Sequence, residues 1–350
     1  MLAGLIAVCP VQAETILRVA TYNTELARGG PGLLLRDILT EQDPQAEAVA
    51  RNIARARPDI IVLQGVDHDH DLRALQALRS RIEEHGHFLP HVFAARPNTG
   101  MATGLDLDGD GRTGRARDAQ GYGEFAGQGG MAVLSKFPIL TDEVRDFSAI
   151  LWRDLPDASL WLTDGNALLP ADVADIQRLS TVAHWDVPVL VDDVRLNLLT
   201  FHASPPVFDG PEDRNGRRNH DEIVFWRHYL DGRLGPPPSA PFVLVGDANL
   251  DPADGDGRKV AIRRLLSDDR LKDPQPRRPG IAVQGAGQRG DPRLDTVNWP
   301  EPAPGALRVS YVLPSADLAV KDAAIMANPD ETSISTASRH RLVWVDLVVK

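Results

Sequence analysis

The feature that most constrains this chain is a recurring unit: a short run of apolar, largely β-branched residues that stops abruptly on a polar side chain. Ile60-Ile61-Val62-Leu63 runs into Gln64, and Phe242-Val243-Leu244-Val245 runs through Gly246 into Asp247. Apolar runs without alternation suit strands buried on both faces, which requires other layers on each side. Leu17 to Tyr22, Met131 to Leu134, Val189 to Val191, Leu196 to Phe201, Val309 to Leu313 and Leu342 to Val349 are further strand candidates. Apolar residues at helical spacing predict helices over Gln45 to Arg57, Leu72 to Glu84, Glu222 to Leu230 and Lys259 to Leu266. Strands with interspersed helices and no low-complexity linker predict an α/β fold, one domain over residues 14–350, with sheet packed on sheet and helices outside. Asn98 to Gly130 and Pro274 to Pro304 read as long loops, which compact domains keep for function or leave disordered.

The 49 acidic residues outnumber the 38 basic ones, for a formal charge of -11. This argues against a broad basic surface for nucleic acid, because phosphate neutralisation supplies most non-specific affinity. A phosphoester would then be drawn in by a bound metal and a few local cations. The apolar start, Met1 to Cys9, followed by Val11-Gln12-Ala13, reads as a signal peptide over residues 1–13 and predicts export to the periplasm or beyond. It is too short to span a bilayer, so no integral membrane protein is expected, and no stable protein partner is predicted. Cys9, the one cysteine, would leave with that segment.

The chemistry-bearing residues cluster at strand ends. Asp247 and Asn249, at i and i+2 after a buried strand, would project to one side and converge on one water or metal if the segment stays extended. Asx residues after strands also make turns, and the motif alone does not separate the two readings. Phe208 to Glu222 packs Arg214, Arg217, Arg218, Asn219 and His220 into what reads as a loop entering a helix. It would serve as a phosphate clamp or as a salt-bridged surface loop. Asp106, Asp108 and Asp110 stand at alternate positions before Gly111, like the first half of a calcium loop. The usual twelfth-position Glu is replaced by Arg117, with Asp118 next to it, and a solvated acidic turn is the alternative. Asp67-His68-Asp69-His70-Asp71 is rich in ligand types as well, though it reads equally as a polar strand end.

Taken in order, Thr21-Tyr22-Asn23, Leu63-Gln64, Gly130 to Ile139, Thr200-Phe201-His202, Gly246-Asp247-Ala248-Asn249 and Ser338-Arg339-His340 form a set. This ordered set resembles the endonuclease/exonuclease/phosphatase family from residue 17 to the C-terminus. The resemblance implies a four-layer α/β/β/α sandwich, two packed mixed sheets flanked by helices, with the site where strand ends meet at one edge. It further implies a divalent-metal-dependent hydrolase of phosphoester bonds, with Mg2+ or Mn2+ as cofactor and structural Ca2+ at the acidic loop as an addition. The substrate class it points to is a phosphodiester: a nucleic acid, a nucleotide or a small diester. A phosphomonoesterase, a lipid phosphodiesterase and a catalytically lapsed binding module stay open on the same fold. Carried over by motif, Asp247 would orient or deprotonate water, and Asn249 would hold it. His202 and His340 would stabilise the phosphate and leaving group, while Asn23 would lie beside metal and phosphate.

The chain departs from the family pattern three times. Gly65 stands where the family has a metal-binding Glu, and the reading assigns the metal to Asp67 and Glu25, with Asn23 beside them. Ser310, in Arg308-Val309-Ser310-Tyr311, replaces the acid that would orient His340. Arg339 replaces the acid of Ser-Asp-His and is read as a phosphate clamp.

Overall fold

The computed structural model describes residues 14–349 other than 240, 281, 283, 286, 301–303 and 327–335. The expected signal segment, 1–13, lies outside the described residues. The first sheet is built on β1 (Thr15–Asn23), which runs parallel to β2 (Ile60–Val66) and antiparallel to β13 (Val343–Val349). With β3 (His91–Phe93), β4 (Gly130–Ser135) and β12 (Ala319–Ile325), its order is β12-β13-β1-β2-β4-β3. The second sheet comprises β5 (Arg145–Asp146), β6 (His184–Val191), β7 (Val194–His202), β8 (Phe242–Asp247) and β11 (Ser310–Pro314). Its order is β11-β8-β7-β6-β5. A small ribbon pairs β9 (Val297–Asn298) with β10 (Ala306–Leu307).

Side-chain alternation along the strands sets the layers. Val19, Val62, Val133, Val187, Leu198 and Val245 point between the sheets into one core. Their neighbours Ala20, Ile61, Leu63 and Leu134 turn outward onto α1 (Leu33–Leu39), α2 (Pro44–Ala56) and α3 (Arg73–Glu84). On the far side, Leu199, Phe201 and Leu244 meet Ile223, Phe225 and Trp226 of α5 (Arg214–Leu230) and Ile262 of α6 (Val260–Leu266), with Val173 of the short α4 (Ala171–Ala174) in the same cluster. The implied four layers are therefore present. No helix among the described residues is long and apolar enough to cross a membrane.

Local chemistry explains most boundaries. Asp43 caps α2 by accepting from Ala46 N at 2.8 Å, and Pro44 fills the first helical turn, where its missing N–H costs nothing. The parallel pairs β1/β2 and β7/β8 each need a crossover, which α1 with α2 and then α5 supply. Both pairs end together, Asn23 beside Gln64 and His202 beside Asp247. One helix differs from the sequence reading: α5 starts at Arg214, eight residues before the expected Glu222. Its first turns bury Arg217, Arg218 and Asn219 rather than apolar side chains, so no hydrophobic period marks them.

Candidate active site

The carboxyl ends of β1 and β8 face each other across the two sheets, and Asp247 is the hub between them. It is fully buried, yet it keeps its partners close. Its Oδ2 accepts from Asn23 Nδ2 at 2.9 Å and lies 3.4 Å from His340 Nδ1, while Oδ1 accepts from Asn249 N at 2.9 Å. Gly246 makes this approach of β8 to β7 feasible, since a Cβ there would stand 2.2 Å from Phe201 O. His202 occupies the register position beside Asp247 on the neighbouring strand, partly open to solvent, with Nδ1 shut away without a partner among the described residues. Burial pushes both histidines below the usual imidazole range, and the charge of Asp247 opposes that shift in each. Asn23, His202, Asp247, Asn249 and His340 are thus brought together, as the motifs imply.

The details correct several expectations. Asn249 does not stay extended: its φ is 49°, and its side-chain amide turns back to donate to Ala203 O at 2.8 Å. It staples the ends of β7 and β8 rather than reaching toward a water. Ser310 does not orient His340. Its hydroxyl is buried without a partner among the described residues, on the strand beside Asp247, and the carboxylate paired with the imidazole is Asp247 itself. Nothing in the sequence singled out Trp299, whose indole stands edge-on to His340 with ring centroids 5.5 Å apart. It comes from a long loop without periodicity.

The arginine cluster is not a phosphate clamp. Arg214 donates to Leu107 O and Gln177 Oε1, Arg217 to Glu212 O and Trp161 O, and Arg218 to the carbonyls of Leu179, Gln120, Arg178 and Ser180. Their N–H donors are spent on loop carbonyls, which holds the loops against α5. Asn219 bears on the site indirectly, because its amide bridges Ser204 O and Ala248 O, both at 2.7 Å, behind His202 and Asp247.

The proposed metal ligands do not converge either. Asp67 is buried, and its two oxygens accept from Arg28 N and Gly129 N, each at 2.9 Å. Burial holds its pKa above the usual carboxylate range despite those two bonds. Glu25 is consumed by its neighbours: Oε2 accepts from Arg339 N at 2.7 Å and Ser338 Oγ at 3.0 Å, and Oε1 accepts from Arg339 Nε at 2.8 Å and from Nη2. Burial alone would raise this carboxyl, but the hydrogen bonds from Arg339 win and keep it low and ionised. Asn23 Oδ1, which accepts only a 3.3 Å contact from Glu25 N, is left as a lone oxygen. Among the described residues the one cluster with ligand geometry is Asp106, Asp108 and Asp118, whose ligand atoms lie within 4.8 Å of one another. The acidic loop therefore closes through Asp118 rather than Asp110. The residues present at the centre do not fit the divalent ion that the resemblance implies.

Comparison with known proteins agrees with the architecture. The Endonuclease/Exonuclease/phosphatase family model matches residues 20–340. An endonuclease/exonuclease/phosphatase from Beutenbergia cavernae aligns with TM-score 0.54 and 20% identity, covering 95% of this chain and 72% of that one. A mannosyl-6-phosphatase from Bacteroides thetaiotaomicron aligns with TM-score 0.53 and 15% identity, over 95% and 100% of the two chains. Sphingomyelinase C from Streptomyces griseocarneus gives 0.51 and 17%, over 95% and 99%. At these identities the likeness shows the fold alone. No curated protein matches the sequence.

Proposed function

Because this chain belongs to the endonuclease/exonuclease/phosphatase family, whose members hydrolyse phosphoester bonds, we propose that it hydrolyses phosphodiesters at the Asn23, His202, Asp247 and His340 centre. The observation that carries this reading is the meeting of Asp247 with Asn23 and His340 across the two sheets, beside His202. A carboxylate, an amide and two imidazoles are the groups that in-line phosphoryl transfer needs for positioning and proton movement. Water attacks phosphorus as the bond to the leaving oxygen breaks. Asp247 takes the water proton, protonated His202 gives its proton to the leaving oxygen, and His340 donates to a non-bridging oxygen. A bound phosphate anion favours the charged imidazoles, which burial disfavours in the free protein.

The similar structures carry printed names as different as a mannosyl-6-phosphatase and a sphingomyelinase C. The deciding experiment is turnover of bis(4-nitrophenyl) phosphate, 4-nitrophenyl phosphate, plasmid DNA and sphingomyelin vesicles, each with EDTA or with Mg2+, Mn2+ or Ca2+. Fastest turnover of a diester supports the proposal. A preference for the monoester moves the reading to a phosphatase, and no turnover of any substrate moves it to a binding module.

A further inference from the structure

The centre has lost a metal ligand in a way that is built into its backbone. At Gly65 the chain sits at φ +72°, inside a register shift between Gln64 and Val66. A Cβ there would stand 2.8 Å from Asn23 Oδ1 and 3.0 Å from Glu25 N. The space a longer side chain would enter is therefore already taken by Asn23 and by the backbone of Glu25. This is a remodelled corner and not a truncated side chain.

What fills the corner is an ion pair. Glu25, itself at φ 51°, directs both carboxylate oxygens at Ser338 and Arg339. Three N–H donors from Arg339, with the Ser338 hydroxyl sharing its one proton between Glu25 and Asn23 O, occupy the two oxygens, so a metal ion would have to displace them. Ser338 Oγ also contacts Asn23 O at 2.8 Å and accepts from His340 N at 3.1 Å. One tripeptide thus anchors to β1, carries the guanidinium and places His340 on Asp247. The Arg339 side chain is 44% exposed against 22% for Glu25, so the cation is the more open member of the pair, and its charge acts on the neighbouring His340. Its Nη1 has no partner among the described residues. A guanidinium presents a fixed planar fork that matches phosphate oxygens.

We propose that Arg339, held by Glu25, is the resident cation that receives a phosphate at this centre, in place of a divalent ion bound directly by its side chains. The proposal rests on the phosphoesterase reading for its substrate, but its binding arm can be tested without turnover. Glu25 is a positioning residue, and Arg339 meets the phosphate.

The experiment uses the full chain carrying Asp106→Asn and Asp108→Asn, which silences the acidic loop as a source of metal signal. Calorimetric titration with inorganic phosphate in EDTA should show binding that Arg339→Ala weakens by about tenfold or more and Arg339→Lys only partly, since an ammonium lacks the fork. Titration with Mg2+ or Mn2+ should show no site in the parent. In Arg339→Ala the freed Glu25 should create a weak one, lost again in Glu25→Gln/Arg339→Ala. Diester turnover in EDTA should persist in the parent and fall about a hundredfold in Arg339→Ala. Stoichiometric Mg2+ binding in the parent, with turnover abolished by EDTA, overturns the proposal. So does phosphate affinity unchanged by Arg339→Ala, or no phosphate binding at all. Phosphate binding lost in Arg339→Ala without turnover of any ester upholds the cation and removes the hydrolase reading alone.

Discussion

β1 and β2 end side by side in one sheet as β7 and β8 do in the other, each a parallel pair joined by helical crossovers. The two walls they present to the centre are equipped differently. On the β7/β8 wall, His202 and Asp247 are supported from behind, because Asn249 and Asn219 tie the following loops together through Ala203, Ser204 and Ala248 carbonyls. On the β1/β2 wall, Gly65, at the position where the resemblance implies a metal-binding Glu, is left-handed, and the nearby Glu25 carboxylate is bound to a cation. A wall that handles protons depends on rigid hydrogen bonding. A wall that handles charge needs only a positive group of the right shape. The second requirement can be met by different chemistry, which is what we propose for Arg339.

The largest effects should come from breaking the proton-handling wall. Asp247→Asn and His202→Ala are each expected to lower kcat/KM for a diester by roughly 10²- to 10³-fold. Asp247→Asn also sets a new N–H donor against Asn23 Nδ2 or Asn249 N, at a cost of about 1–3 kcal/mol in stability. Thermal melts must therefore accompany the kinetics. Activity near that of the parent in either variant would take that residue out of the mechanism. Both histidines lie below their usual pKa, so the protonated His202 of the free protein vanishes as pH rises through that lowered value. A kcat/KM profile whose acid-requiring limb lies above pH 6.5 would contradict this assignment.

The same wall is propped by a neutral histidine. His184 on β6 is fully buried, contacts Ser180 Oγ at 2.7 Å and Glu222 O at 2.9 Å, and is pushed down to about 4 by burial. The unfolded chain takes up this proton near pH 6.5. Stability from His184 is thus complete above that pH and is lost as pH falls from about 6.5 toward 4, a total of roughly 3 kcal/mol. Urea midpoints from pH 7 to 4 should fall more steeply in the parent than in His184→Gln. Parallel curves would mean that the imidazole is not held neutral.

A smaller effect should mark the charge-handling wall. Gly65→Ala places a Cβ against Asn23 Oδ1 and forces a non-glycine residue to φ +72°, a cost of about 1–3 kcal/mol. Gly65→Glu should behave no better and should confer no Mg2+ binding, because Asn23 Oδ1 and the Glu25 backbone already occupy the space its side chain would enter. A stable Gly65→Glu protein that binds Mg2+ tightly would show the two walls to be more alike than the structure indicates.

What the sequence made legible follows the same division. The strand runs, the motif order and the placing of Asn23, His202 and Asp247 at adjoining strand ends are readable, because burial and strand period write themselves into residue choice. β12 carries no such signal, because its first four residues, Ala319 to Asp322, are all exposed at a bulged sheet edge and show no buried period. Arg214 to Asn219 are illegible for the opposite reason: cations near His202 read as a clamp in sequence, whereas the fold turns their donors onto carbonyls. Asp67 was credited with reach it lacks, since spacing along a strand says nothing of the two backbone N–H groups that capture it.

The smallest expected effect lies outside both walls, at the acidic loop. Asp106, Asp108 and Asp118 gather three carboxylates within 4.8 Å, and Asp118 is buried while accepting from Leu107 N and Arg115 N. Arg214 fastens the same loop to α5 through Leu107 O, so any gain there reaches the β7/β8 wall as stability rather than as chemistry. If the loop takes calcium with a Kd of about 10⁻⁴–10⁻³ M, typical of extracellular modules, then one millimolar ion stabilises by about 0.4–1.4 kcal/mol. That corresponds to a melting temperature higher by a few degrees at most. Asp106→Asn with Asp108→Asn should abolish the rise and leave diester turnover unchanged. No rise in the parent would leave the three residues as acceptors for loop N–H groups, and a rise in turnover instead of stability would place the cation on the catalytic side of the molecule.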